Sequence, residues 1–335
     1  MKPFLFLLLL FYTLLGATEY KISSENNLTQ NYPLEIAPHF EKVALKYFIA
    51  PDGAKIAYKI FKVSHPKLNI VIASGRTEAM VKYKELIYDL NANGYGVYIL
   101  DHRGQGFSQR ELSDTQIGDI KNFYNYVDDL KFFVENYVPK NQKKVLLAHS
   151  MGGAIASLYI EHYPHDFDAA ILSSPMHQPG RIRSSLTNKI CILLNNRETH
   201  LSNYAPTTSS FDTQDHSFEK NYLTHSKIRY QIYLDEYEKN PAVKIGGPSL
   251  RWVAEACKWS RISIEDAYKI KIPLLLLQAG KDTIVSLKAQ KKFCTNVKSK
   301  CHLVRIPGAY HEMFIEKDKF RKKVLRQILD FLSSI

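Results

Sequence analysis

A chain of 335 residues that is 45% hydrophobic and carries a formal charge of +12 can build one large core with an inserted subdomain, and its composition is too ordinary for a fibrous or disordered protein. Internal repeats of solenoid length and low-complexity tracts are absent, which excludes stacked-repeat architectures. The positive charge suits an anionic surface, but no nucleic-acid motif and no basic stretch interleaved with base-stacking aromatics accompanies it, so no nucleic-acid partner is expected.

Residues 1–17 combine Lys2, an unbroken apolar run and the small residues Gly16 and Ala17, the build of a secretory signal peptide. The run is shorter than the roughly 20 residues that span a bilayer, while the bulk of Leu15 argues against cleavage and leaves a retained N-terminal anchor as the alternative. Either way the expectation is export, to a periplasmic, secreted or membrane-anchored location. Residues 18–39 are polar without clear period and read as a connector. Strands at 42–48 and 55–61 flank Pro51, Asp52 and Gly53, a hairpin signature.

Strand and helix then alternate: strand 70–73, helix 83–93, strand 97–100, helix 122–138, strand 144–148, helix 151–163, strand 169–173. This rhythm predicts a mostly parallel, doubly wound α/β sheet. Over 176–268 it gives way to helical spacing among Ser, Thr, Asn and Tyr, which predicts a helical cap inserted into a core of residues 40–175 and 269–335. Strand 273–278, helix 287–295, strand 302–306 and an amphipathic helix 318–332 close the core. The last helix carries Lys317, Lys319, Arg321, Lys322, Lys323 and Arg326, read as a solvated face ahead of a patch for peripheral contact with anionic membrane. Of the cysteines Cys191, Cys257, Cys294 and Cys301, Cys294 and Cys301 are the better pairing candidates by proximity. The alternative is four buried thiols.

The chemistry is concentrated at Ala148, His149, Ser150, Met151, Gly152 and Gly153, between a buried strand and a helix. This is a nucleophile-elbow pattern, in which small flanking residues let strand and helix approach around a serine on a sharp turn. Alanine stands at position 148, where the common pattern has glycine. In the same chain order come Asp282, after strand 273–278, and His311, after strand 302–306. The expected roles are Ser150 as nucleophile, His311 as base and Asp282 as the acid that orients it. Oxyanion donors are expected from the backbone N–H of Met151 and of Arg76, in the glycine-containing turn after an early strand. Gly75 and His149, beside these turns, are candidate pocket-lining residues. His162 and His165 lack a metal spacing, and residues 101–108 match neither phosphate-binding glycine motif, so that run is read as a structural turn.

Together these residues resemble the lysophospholipase and monoacylglycerol lipase group of α/β-hydrolases, most closely its bacterial lysophospholipase branch. The resemblance runs through 74–86, 101–108, 149–153, 274–282 and 308–313, and through Ile245, Gly246, Gly247, Pro248, Trp252, Val253 and Glu255 in the cap. It implies the α/β-hydrolase fold and hydrolysis of the carboxylic ester of a single-acyl-chain lipid through a Ser150 acyl-enzyme, without metal or organic cofactor. Ser74, where many monoacylglycerol lipases have histidine, favours lysophospholipid as substrate over monoacylglycerol. Arg181, Arg183 or Lys189 of the cap are candidates to meet a head-group phosphate, the alternative being solvated cap charges. The rival readings are a monoacylglycerol lipase or general carboxylesterase, and a catalytically silent envelope protein that binds lipid.

Overall fold

A computed structural model of the protein describes residues 19–179, 202–211 and 216–335. One sheet contains β1 (Lys46–Ile49), β2 (Lys55–Phe61), β3 (Asn69–Ala73), β4 (Gly96–Leu100), β5 (Lys144–His149), β6 (Ala169–Ser173), β7 (Leu274–Ala279) and β8 (Cys301–Ile306). The order across it is β1-β2-β4-β3-β5-β6-β7-β8. The β1 and β2 pairings are antiparallel and every pairing from β4 to β8 is parallel. The expected mostly parallel, doubly wound sheet is the one observed.

Because successive side chains leave a strand on opposite faces, the continuous apolar runs of the parallel strands feed two cores. Ile70, Ile72, Ile171 and Leu275 face one layer, while Val71, Leu146, Leu172 and Leu276 face the other. Strands buried on both sides need helices on both sides, and the sequence supplies them.

Ahead of the sheet lie α1 (Glu25–Asn31), a π-helical turn (Tyr32–Ile36) and α2 (Ala37–Glu41). The segment read as a connector is therefore structured and fastened to the body. The Ser23 hydroxyl donates to Glu85 at 2.7 Å, the Ser24 hydroxyl to Asp318 at 2.5 Å and the Tyr20 hydroxyl to Asp330 at 2.7 Å. Leu28, Tyr32, Ile36 and Ala37 form a small core of their own, against Tyr88, Ile228 and Ile232. Leu28, Tyr32, Ile36 and Phe40 are buried at steps of four, a helical spacing diluted in the sequence by the polar residues between them.

The first core layer takes Leu86 and Leu90 of α3 (Lys84–Ala92); the second takes Val127 and Leu130 of α4 (Asn125–Tyr137) and Ile155 and Leu158 of α5 (Met151–His162). Between β6 and β7 the described residues contain α6 (Lys227–Lys239) and α7 (Leu250–Glu265). Each starts on a serine, Ser226 or Ser249, whose hydroxyl accepts a first-turn N–H, satisfying a donor the helix cannot. Then come α8 (Leu287–Val297) and α9 (Asp318–Ser333). Val324, Leu325, Ile328, Leu329 and Leu332 of α9 face the first core layer, the stripe of an amphipathic helix. Of its basic residues Lys319, Lys323 and Arg326 are exposed, but Arg321 is fully buried between Glu85 and Asp89.

Cys294 of α8 and Cys301 of β8 form a disulfide, and Cys257 is disulfide-bonded as well, so the buried-thiol alternative does not hold for these three. The leader at 1–17 and Arg181, Arg183, Lys189 and Cys191 lie outside the described residues. Among the described residues no helix is long and apolar enough to cross a membrane.

Candidate active site

The C-terminal ends of β3, β5 and β6 lie in register, Ala73 opposite Ala148 and Ala148 opposite Leu172. The chain leaves β5 through Ser150 at φ 50° and ψ −115°, a conformation that costs an L residue about 1–3 kcal/mol. The surroundings hold it there: the Ser150 N–H donates to the Ser173 carbonyl at 3.1 Å, and the Ser150 carbonyl accepts from Gly153 at 2.9 Å and Met176 at 2.8 Å. A Cβ on Gly152 would stand 2.1 Å from the Ala73 carbonyl oxygen, so only glycine lets α5 approach β3 this closely. Ala148 is accommodated fully buried.

Asp282 and His311 follow β7 and β8, whose ends are aligned by the pairing of Ala279 with Ile306. His311 Nδ1 lies 2.7 Å from Asp282 Oδ2, and His311 Nε2 lies 2.9 Å from Ser150 Oγ. An ionised carboxylate only accepts, so Nδ1 carries the hydrogen and Nε2 is left to take the serine proton. The other Asp282 oxygen accepts the N–H groups of Ile284 at 2.8 Å and Val285 at 3.2 Å, and the Asp282 side chain is fully buried. The three residues named from sequence are thus joined by two hydrogen bonds across 150, 282 and 311.

In the turn after β3, the Gly75 N–H donates to the Glu78 carboxylate and the Thr77 N–H to Gln105 Oε1 at 3.2 Å. Gln105 Nε2 donates to the carbonyls of Gly75 at 2.7 Å and Glu78 at 2.9 Å, and the Tyr237 hydroxyl donates to the Thr77 carbonyl at 3.0 Å. The N–H groups of Arg76 and of Met151, the first residue of α5, have no hydrogen-bond partner among the described residues. These are the two donors expected for an oxyanion.

Gly75 and His149, expected to line the pocket, sit beside a buried ion-pair network. Lys82 lies 2.6 Å from Glu78 and 2.8 Å from Glu312. His149 Nδ1 donates to the Ser173 carbonyl at 3.2 Å, its Nε2 is 3.3 Å from Glu312, and its ring packs 4.8 Å from that of His311. Burial pulls the His149 imidazole down, but the Glu312 and Glu78 carboxylates outweigh it and the net shift is upward. Burial likewise opposes ionised Glu312, yet Lys82 and His149 hold it well below the usual carboxylate range. His149, His311 and Glu312 offer ligand atoms within 4.8 Å of one another, but both His311 nitrogens are spent on Ser150 and Asp282, and Glu312 on Lys82. That set serves as an ion-pair network beside the relay.

Residues 101–108, read as a structural turn, contain Gln105, the clamp on the oxyanion turn. Glu78, Lys82 and Glu312 went unread as site residues, although Glu312 adjoins His311 and Glu78 follows Gly75 by three. Gln105→Ala removes three hydrogen bonds that set the direction of the Arg76 amide. Misplacing a catalytic donor by an ångström costs about 100-fold, so kcat for ester hydrolysis is expected to fall by about 10–100-fold with a smaller change in KM, read from steady-state kinetics.

A family model described as serine aminopeptidase, S33, matches residues 64–318. The chain is 37% identical over 298 residues to lysophospholipase L2 of Escherichia coli, covering 85% of this chain and 86% of that protein. It is 26% identical over 317 residues to human monoglyceride lipase, covering 91% and 93%. Among solved structures, a soluble variant of the Saccharomyces cerevisiae monoglyceride lipase, in complex with a substrate analog, superposes with a TM-score of 0.70 at 22% identity, over 87% of this chain and 95% of that one.

Proposed function

Since this chain belongs to the Hydrolase_4 family of α/β-hydrolases (serine aminopeptidase, S33) and is a serine ester hydrolase, we propose that it releases the fatty acid of a lysophospholipid through an acyl-enzyme on Ser150. The observation that carries this reading is the bonded series Asp282, His311, Ser150, with the amides of Arg76 and Met151 unspent among the described residues. The identity with a lysophospholipase supports the substrate class.

His311 Nε2 takes the Ser150 hydroxyl proton as Oγ attacks the acyl carbonyl carbon. The tetrahedral oxyanion is held by the N–H groups of Arg76 and Met151. As the intermediate collapses, the bond to the glycerol oxygen breaks and that oxygen takes the proton from Nε2, leaving an acyl-serine. Water then gives its proton to Nε2, its oxygen attacks the acyl carbon, and fatty acid leaves as Ser150 recovers its proton. Asp282 keeps the ring in the required tautomer and stabilises its cation.

Fatty-acid release from lysophospholipid, monoacylglycerol and a short-chain ester, compared as kcat/KM, tests the substrate reading. Lysophospholipid is expected to be preferred. A preference for monoacylglycerol, as the names of several relatives suggest, would sink it in favour of a glyceride lipase.

Export is part of the same proposal. The leader-like residues 1–17 and the Cys294–Cys301 disulfide both suit an oxidising compartment. The exposed Lys317, Lys319, Lys323 and Arg326 suit peripheral contact with anionic lipid.

A further inference from the structure

The Arg76 side chain runs from the oxyanion turn to a junction between Gly118 and the cap segment 245–249. Its Nη2 donates to the Gly246 carbonyl at 2.8 Å, its guanidinium carbon lies 5.1 Å from the Trp252 ring centroid, and its Nε is withdrawn from solvent without a hydrogen-bond partner. A side chain at position 118 would begin 2.9 Å from that same Nη2, so the glycine keeps room for the cation.

Among the described residues no carboxylate pairs with it. Among the described residues, Arg103 pairs with Asp52 and Asp129, Arg229 with Glu85 and Asp318, and Arg321 with Glu85 and Asp89. Arg110 spends its N–H groups on the carbonyls of Gly106, Ser108, Thr115 and Ala242. Arg76 has one carbonyl among the described residues, that of Gly246. Nearby Asp119 is taken by Ser249 and Arg251, and Glu255 by the Phe123 and Trp259 N–H groups. Partly withdrawing a cation from water without a paired anion among the described residues is costly, and burial pushes this half-buried guanidinium down to about 10, which leaves it charged at neutral pH. An anionic ligand group would offset that cost.

We propose that the Arg76 side chain binds the phosphodiester of a lysophospholipid head group and thereby selects phosphate-bearing single-chain lipids over neutral glycerides. This rests on the hydrolase reading above. A guanidinium fork matches two phosphate oxygens, and Trp252 packs beside it. The reach also fits. In a glycerol-based lysolipid esterified at its first carbon, the phosphorus is as many bonds from the ester oxygen as the Arg76 guanidinium carbon is from its own Cα. One residue would then hold the oxyanion by its backbone and the head group by its side chain, in place of the cap arginines considered from sequence.

The test compares kcat/KM on a lysophosphatidylcholine and a monoacylglycerol of the same acyl chain. In Arg76→Gln the ratio is expected to fall by about 10-fold or more, the scale of a lost charged hydrogen bond, mainly through KM, with Arg76→Lys between. Equal losses on both substrates would overturn the proposal, because a structural role or a disturbed oxyanion turn does not distinguish head groups. In a Ser150→Ala background, tryptophan fluorescence would follow a short-chain alkylphosphocholine below its micelle concentration, beside the matching alkylglycerol. Arg76→Gln is expected to weaken only the first. Inorganic phosphate binding as tightly, and equally dependent on Arg76, would assign the residue to free phosphate and overturn the head-group role. If wild type hydrolyses both lipids and the variant leaves the ratio unchanged, this inference fails alone. If wild type hydrolyses neither, the hydrolase reading fails and the alkylphosphocholine titration decides the Arg76 site by itself.

Discussion

Ser150→Ala is expected to lower kcat for fatty-acid release by on the order of 10⁴–10⁶, with little change in KM. The alanine removes the only oxygen within hydrogen-bonding reach of His311 Nε2 among the described residues and leaves the amides of Arg76 and Met151 in place, so substrate binding survives while the acyl-enzyme cannot form. His311→Ala is expected to cost a similar factor. The double variant should be hardly worse than either single one, because the two groups perform one step. Steady-state rates for the three proteins, with thermal melts to show that each is folded, check this. Losses that multiply, or a Ser150→Ala protein that keeps a tenth of its activity, would mean that some other group attacks the ester.

Arg229→Met is expected to destabilise the fold by about 3–5 kcal/mol, the cost of leaving buried carboxylates without their cation, and to lower Tm by on the order of 5–10 °C. Arg229 lies 2.9 Å from both Glu85 and Asp318 and donates to the Glu316 carbonyl at 2.7 Å. Through Glu85 and Asp318 it also holds the Ser23 and Ser24 hydroxyls. Adding Glu85→Leu should recover part of the loss, since an apolar pair is better tolerated than half an ion pair. Acid titration gives a second check. Burial opposes the Asp318 charge, but Ser24 and Arg229 outweigh it and hold the carboxyl down to about 2. A group with a depressed folded pKa contributes its stability above its unfolded value, near 4, and loses it as pH falls through about 2. The Tm gap between wild type and Arg229→Met should therefore narrow over that window. A gap that is small at pH 7, or that widens on acidification, would remove the latch from the account.

The hydrogen-bonded series is legible in the sequence because each member follows a buried strand by one turn: Ser150 after β5, Asp282 after β7 and His311 after β8. Apolar runs and glycine-containing turns are local signals. The residues that aim the site are held by partners far along the chain and left no such signal. Lys82 reaches Glu312, and Gln105 reaches back to Gly75. Arg321 has the spacing of its basic neighbours on a solvated face, yet its burial depends on Glu85 and Asp89 of α3, far away in sequence. Residues 19–39 are fastened by carboxylates on α3 and α9 far along the chain, and their one local signal, the apolar Leu28, Tyr32 and Ile36 at steps of four, is diluted by polar neighbours.

The insertion between β6 and β7 bears on how the chain is made. β6 pairs with β5 early, but its other partner, Ala170 to Leu274 through Ser173 to Leu277, is translated only after the whole stretch between β6 and β7. At about 5–20 residues per second, a ribosome needs roughly 5–20 s to cross that stretch. For that interval the nascent half-sheet has a bare edge at Ala169–Ser173, apolar from Ala169 to Leu172, the kind of edge that recruits foreign strands. His311 arrives later still. The newborn molecule therefore passes through its most aggregation-prone stage before it has the last member of its relay.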